Sequence, residues 1–241
     1  MAKKKKKKST GKAQKKQQKH ALKRKQKRRR LARLTSKWLR PSLRAAANWP
    51  LHEVLISETW RDPKDLTQIF VVRSELPGVY AIGVFLVDQA CLGVKNAFAR
   101  IVDEAEYREM RRRLLETQDF ISSDLNLAAK IIEASIEYAR GCGIEPHPDF
   151  KPARIMLQGA DPDACEEDIP LGGPEGKPLF IAGPYDNVQK IFGTLMRNLG
   201  PEGFHFIAPL TPPPTDDFFD DFDDGVWDED AWDVTDDEAF D

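Results

Sequence analysis

Charge in this chain is sorted by position so sharply that only its middle can fold around a core. Residues 1–52 contain no Asp or Glu and carry 21 Lys and Arg. The 26 residues from Asp216 to Asp241 hold 14 Asp and Glu and no Lys or Arg. The stretch between has 16 basic and 25 acidic residues, so the three parts carry +21, −9 and −14 around a formal net charge of only −2. Long segments of one sign repel themselves and bury too little to offset the entropy lost on ordering. The chain is therefore expected to divide into a basic arm at 1–48, a globular domain at 49–214 and an acidic, aromatic tail at 215–241. Both tails are expected to be disordered in isolation. The arm is rich in helix formers and lacks Gly and Pro from Ala13 to Arg40, so phosphates that neutralise it could let it become helical.

The middle, roughly 165 residues, suits one domain that can bury well over half of its unfolded surface. Its apolar runs suffice for a core: Ile69 to Val72, Val79 to Val87, Ile131 to Ile136 and Leu179 to Ala182. Cys91, Cys142 and Cys165 are odd in number and widely spaced, which argues against a secreted disulfide framework and fits a reducing cytoplasm. The basic start is not followed by the apolar segment of a signal peptide. The longest apolar stretch, Val79 to Val94, is interrupted by Asp88 and Gln89 and is too short to span a bilayer. A cytoplasmic protein without a membrane span is the expectation.

The domain reads as α+β: a single mixed domain with a β-hairpin-containing sheet and about four helices, flanked by disordered charged tails. Leu51 to Ile56 is a short helical candidate. Gln68 to Glu75 and Val79 to Asp88 flank the turn Leu76-Pro77-Gly78, a hairpin pattern. Cys91 to Phe98 reads as a third strand or as the start of a helix. Glu104 to Glu116 is a charged helix, and Leu125 to Arg140 the clearest element of the chain. In the latter, Ala128, Ile131, Ile132, Ser135, Ile136 and Ala139 form an apolar stripe, with Asp124 as cap and Gly141 as terminator. A short helix is expected over Ala153 to Leu157, then an irregular excursion from Gly159 to Lys177. The strand Leu179 to Ala182, a helix from Asn187 to Leu199 capped by Asp186, and the strand Phe204 to Ala208 could make a parallel βαβ unit.

The basic arm has a physical role that needs no fold. Each cation placed near a phosphate releases a condensed counterion, so binding is strong at low salt and falls steeply as salt rises. Such contacts carry almost no sequence information. The candidate phosphate-binding residues are Lys3, Lys4, Lys5, Lys6, Lys7 and Lys8, then Lys23, Arg24, Lys25, Lys27, Arg28, Arg29, Arg30 and Arg33. The expected partner is nucleic acid, RNA or the ribosome before DNA. In the tail, Phe218, Phe219, Phe222, Trp227, Trp232 and Phe240 alternate with carboxylates. That mixture could mimic nucleic acid, fold back on the arm of the same molecule, or bind a basic partner protein as an adaptor would. Oligomeric state is not written in the sequence.

Catalytic candidates are scattered. His147 lies between Pro146 and Pro148 with Asp149 alongside, a rigid place for a base or a metal ligand. Asp88 ends an apolar strand, where hydrolases and nucleases often place a metal carboxylate; a turn residue ending a hairpin strand accounts for it equally well. Asp88, His147 and Asp149 together are the candidates for a metal-dependent hydrolase or nuclease. Asp161 to Asp168 lacks the glycine of a calcium loop and has Cys165 at the fifth position. The cysteines have no zinc-type spacing with one another or with His20, His52, His147 and His205. Gly183-Pro184-Tyr185-Asp186 matches neither a P-loop nor a dinucleotide fingerprint. No metal and no cofactor are expected, and a non-enzymatic protein is favoured over an enzyme.

The segments 75–88 (Glu-Leu-Pro-Gly-Val-Tyr-Ala-Ile-Gly-Val-Phe-Leu-Val-Asp), 91–98 (Cys-Leu-Gly-Val-Lys-Asn-Ala-Phe), 183–190 (Gly-Pro-Tyr-Asp-Asn-Val-Gln-Lys) and Gly203-Phe-His-Phe206 resemble a family of uncharacterised bacterial proteins. The resemblance spans residues 49–210 and neither tail. It implies a bacterial, cytosolic origin. That family has no assigned activity or catalytic residue, so the resemblance assigns none here.

Overall fold

Four strands that follow one another in sequence are also neighbours in space. They are β1 (Leu51–Ser57), β2 (Thr67–Arg73), β3 (Val79–Asp88) and β4 (Gly93–Asp103), all antiparallel. A short β5 (Phe120–Ser122) returns beside β1, giving the order β4-β3-β2-β1-β5. The computed structural model describes residues 41–75 and 77–208. The candidate arm residues Lys3 to Arg33 and the six tail aromatics lie outside the described residues. The helices are α1 (Leu43–Ala46), α2 (Glu104–Thr117), α3 (Leu125–Gly141), α4 (Phe150–Ala153) and α5 (Val188–Leu199). Together they make a single mixed α+β domain.

Residue alternation sorts the sheet into two buried faces. Val54, Ile56, Ile69, Val71, Ala81 and Phe85 face α3, α4 and the 3-10 turn Arg154–Leu157. Leu55, Phe70, Val72, Ile82 and Val84 face α2 through Tyr107, Met110 and Leu114. A strand covered on both sides is apolar at nearly every position, so its sequence loses the period of two. In β1 this holds for Val54, Leu55 and Ile56, so Leu51 to Ile56, expected as a helix, is instead a strand. Short apolar runs fit either period, and here the ladder to β2, from Val54↔Val71 to Ile56↔Ile69, decides. Cys91 to Phe98 resolves into the turn after β3 and the first part of β4.

The expected hairpin is present, with β2 and β3 paired from Thr67↔Val87 to Arg73↔Ala81 and Gly78 at φ 76° in the turn. Helix α2 begins with a capping box. Asp103 accepts from the amides of Ala105 and Glu106, while Glu106 accepts from the Asp103 amide. Asp124 caps α3 as expected, accepting from the Leu127 amide at 2.8 Å. The helix runs through Gly141, however, and Gly143, at φ 80°, takes the left-handed position assigned to Gly141. Arg73 is the main buried cation of this layer. Its Nε donates to the Met156 carbonyl at 3.1 Å, Nη1 to Trp49 at 3.0 Å and Nη2 to Gln158. No carboxylate is among its partners in the described residues, and burial pulls its pKa down.

A smaller two-stranded sheet pairs β6 (Leu179–Ile181) and β7 (His205–Ile207) in parallel, with α5 as the crossover. The expected βαβ unit is therefore present. Its core, Phe180, Ala182, Leu195 and Phe204, packs with Cys91, Leu92 and Cys142. The expected cap of α5 is displaced by one residue: Asn187, not Asp186, accepts from the Lys190 amide. Asp186 is engaged elsewhere. Among the described residues no helix is long and apolar enough to cross a membrane.

Candidate functional site

The two irregularities in the large sheet each carry a polar residue. In β4 the register shifts so that Leu86↔Asn96 is followed by Val87↔Val94, leaving Lys95 as the extra residue. A bulge re-aims its side chain. Lys95 Nζ reaches Asp186 Oδ2 at 2.8 Å, with only 14% and 11% of the two side chains exposed. The same Asp186 oxygen accepts from the Gly183 amide at 2.7 Å. A Cβ on Gly183 would lie 3.1 Å from that oxygen and 3.3 Å from Lys95 Nζ, so glycine keeps the pair accessible to each other. Lys95 and Asp186 thus tie β4 to the loop that enters α5.

Asp88 sits one turn away along the chain, at the end of β3. Its Oδ1 accepts from the amides of Ala90 and Cys91, each at 2.9 Å, the pattern of an Asx turn. Burial pushes its carboxyl pKa up, while Lys95 and the backbone amides oppose the rise. Above about pH 4 the unfolded chain gives up this proton while the buried group still holds it, so stability falls as pH rises through that window. Asp88→Asn keeps an oxygen for the two amides and removes the charge. The variant is expected to match or exceed the parent in urea unfolding at pH 7 and to lack that part of the pH slope; an unaltered slope would assign it to another group.

His147 and Asp149 do lie side by side. The His147 Nδ1 is 3.5 Å from Asp149 Oδ2 and accepts from the Asp149 amide at 3.4 Å. The His147 amide in turn donates to the Val94 carbonyl at 2.9 Å, which fastens the loop to β4. Asp88 turns instead to its own following amides. Among the described residues no three His, Cys, Asp or Glu side chains form a group that could hold a metal ion. The thiols of Cys91, Cys142 and Cys165 are free, and burial pushes those of Cys91 and Cys142 upward, away from the reactive thiolate.

The second irregularity builds a cluster with no sequence signature. In β1, Leu51↔Arg73 is followed by Glu53↔Val72, so His52 is the extra residue and its ring is exposed. That ring stands edge-on to Tyr80 at 5.3 Å and to Tyr107 at 5.8 Å, and the two tyrosines stack at 4.3 Å. Beneath them Tyr107 donates to Glu53 at 3.0 Å, and Arg111 forks onto both Glu53 oxygens at 2.8–3.1 Å. Burial, then the neighbouring Glu53, pushes the Tyr107 phenol up to about 12, so it stays a donor. Residues 52–53, 80 and 107–111 are too far apart in sequence for spacing to have united them.

The remaining arginines of α2 are engaged as well. Arg112 pairs with Glu109 at 2.8 Å and with Glu116, Arg113 pairs with Glu109 at 3.0 Å, and Arg108 pairs with Glu104. The hydrogen bonds from Arg112 and Arg113 hold the Glu109 carboxyl down to about 2. Each helix cation thus has a carboxylate within reach, and phosphate would have to compete for it. No protein-family model, no curated protein and no solved structure matches the chain.

Proposed function

We propose that this is a non-enzymatic, cytoplasmic, nucleic-acid-associated protein, RNA- or ribosome-linked, that binds polyanions through residues 1–48 and is modulated by residues 215–241. The observation that carries the reading is the run of 21 cations without a carboxylate in residues 1–52. Cations placed near a phosphate backbone release its counterions, and those of α2 already face glutamates. The segment between arm and tail is itself −9 and repels phosphate, which leaves adhesion to the arm. The tail carries 14 carboxylates and competes with phosphate for the same cations. Ultraviolet crosslinking in cells, followed by sequencing of the nucleic acid and mapping of the attached peptides, tests this. RNA joined to peptides of residues 1–48 is the expected result. Recovery of no nucleic acid, or crosslinks confined to residues 49–214, overturns it.

A further inference from the structure

Helix α5 is amphipathic, yet Leu195 is its only fully buried side chain. Phe192 and Met196, one turn apart, remain 37% and 36% exposed, and Phe206 on β7 remains 39% exposed. The rings of Phe192 and Phe206 meet at 5.3 Å, and Phe204 closes the group from below at 5.5 Å from Phe192. Phe192, Phe204 and Phe206 form one apolar group, with Met196 one turn along α5 from Phe192, and β7 has a single neighbouring strand, β6, among the described residues. The only charges on α5 are Lys190 and Arg197; it has no carboxylate, unlike the acidic chain around it.

We propose that this face is the docking site of the protein's own tail, through Phe218, Phe219 and Phe222. The described residues end at Ala208, immediately after β7, so the tail starts beside the face it would cover. The ten residues from Ala208 to Phe218 reach at most about 35 Å, ample for a return to a face two residues from the exit. A face of three partly exposed side chains is far smaller than the roughly 800 Å² per partner of a standard interface. It therefore suits a tethered ligand better than a free one. A short linker holds its ligand at an effective concentration on the order of millimolar, so weak contacts fill the face. The aromatics would anchor the tail, and the carboxylates around them would stay exposed beside Lys190 and Arg197. This deepens the proposed tail modulation, and it can fail or stand separately, because its test contains no nucleic acid.

The test uses the full chain with methyl-labelled methionine. The chain has four methionines, and Met110 and Met156, 1% and 0% exposed, serve as internal references for Met196. The triple substitution Phe218→Ser, Phe219→Ser and Phe222→Ser lies outside the described domain. It is expected to shift the Met196 methyl signal, leave Met110 and Met156 in place, and speed amide exchange at Phe206 and Ile207 by about tenfold. An unmoved Met196 overturns the proposal. So does a Met196 signal that depends on protein concentration, with doubled mass, since a second copy then covers the face. Movement of Met110 and Met156 together with Met196 also overturns it, because the tail would then act on the core.

Discussion

Deleting residues 1–34 is expected to abolish RNA binding at physiological salt and to flatten its salt dependence. That segment holds 18 of the 21 cations in residues 1–52. On a single strand each neutralised phosphate contributes about −0.7 to the slope of log K against log salt. An arm that engages about ten phosphates then gives a slope near −7, and the three cations left after deletion give about −2. Between 50 and 200 mM salt such an arm forfeits roughly 10³–10⁵ in affinity, and the truncated chain should show little of this loss. A truncated protein that binds with an unchanged slope would place the contact elsewhere. Deleting residues 216–241 should act in the opposite direction and tighten binding, since it removes 14 competing carboxylates.

Arg73→Ala is expected to cost about 2–4 kcal/mol of folding stability. The guanidinium joins three backbone carbonyls, those of Trp49, Met156 and Gln158, which belong to chain segments on either side of β2. Alanine would leave the two buried acceptors, those of Trp49 and Met156, without their donor and open a void between β2 and the 3-10 turn Arg154–Leu157. Packing makes the turn hard to rebuild, because a Cβ on Gly83 would already lie 2.8 Å from the Met156 side chain. Arg73→Lys retains the charge but cannot span three acceptors, and should lose about 2 kcal/mol. Urea unfolding at pH 7 and again at pH 4 checks both the size and the cause. Since carbonyls and not carboxylates hold Arg73, the loss should be the same at the two pH values. A loss for Arg73→Ala under about 1 kcal/mol would show that water replaces the side chain.

What the sequence disclosed about this fold depended on how locally each element is specified. The β2–β3 hairpin was legible from Pro77-Gly78 between two β-rich runs, and α3 from its stripe and the Asp124 cap. The βαβ unit was legible from the order and spacing of its three parts. Strand β1 was not, because Val54, Leu55 and Ile56 are all buried, on alternate faces, and a run without polar breaks has no readable period. The two bulges at His52 and Lys95 were invisible for a related reason: a bulge is a property of a strand pair, and the partner strand is remote in sequence. Asp186 illustrates the same limit. Its position before α5 made it a fair cap, but the lysine that claims it lies on β4. As for the candidate site, the neighbours His147 and Asp149 were found together. The cluster of His52, Glu53, Tyr80, Tyr107 and Arg111 exists only once α2 has crossed the sheet.

The sequential order of the four long strands also governs how the chain reaches this structure. Each of the ladders β1–β2, β2–β3 and β3–β4 joins segments that are adjacent along the chain, so little loop entropy is lost before cross-strand contacts form. The parallel pairing of β6 with β7 differs, because it must wait for α5 to form and cross over between them. Contact order thus favours early formation of the meander and later formation of the βαβ unit. During synthesis the strands of the meander also leave the ribosome before the residues of the βαβ unit, so chain order and contact order favour the same sequence of events.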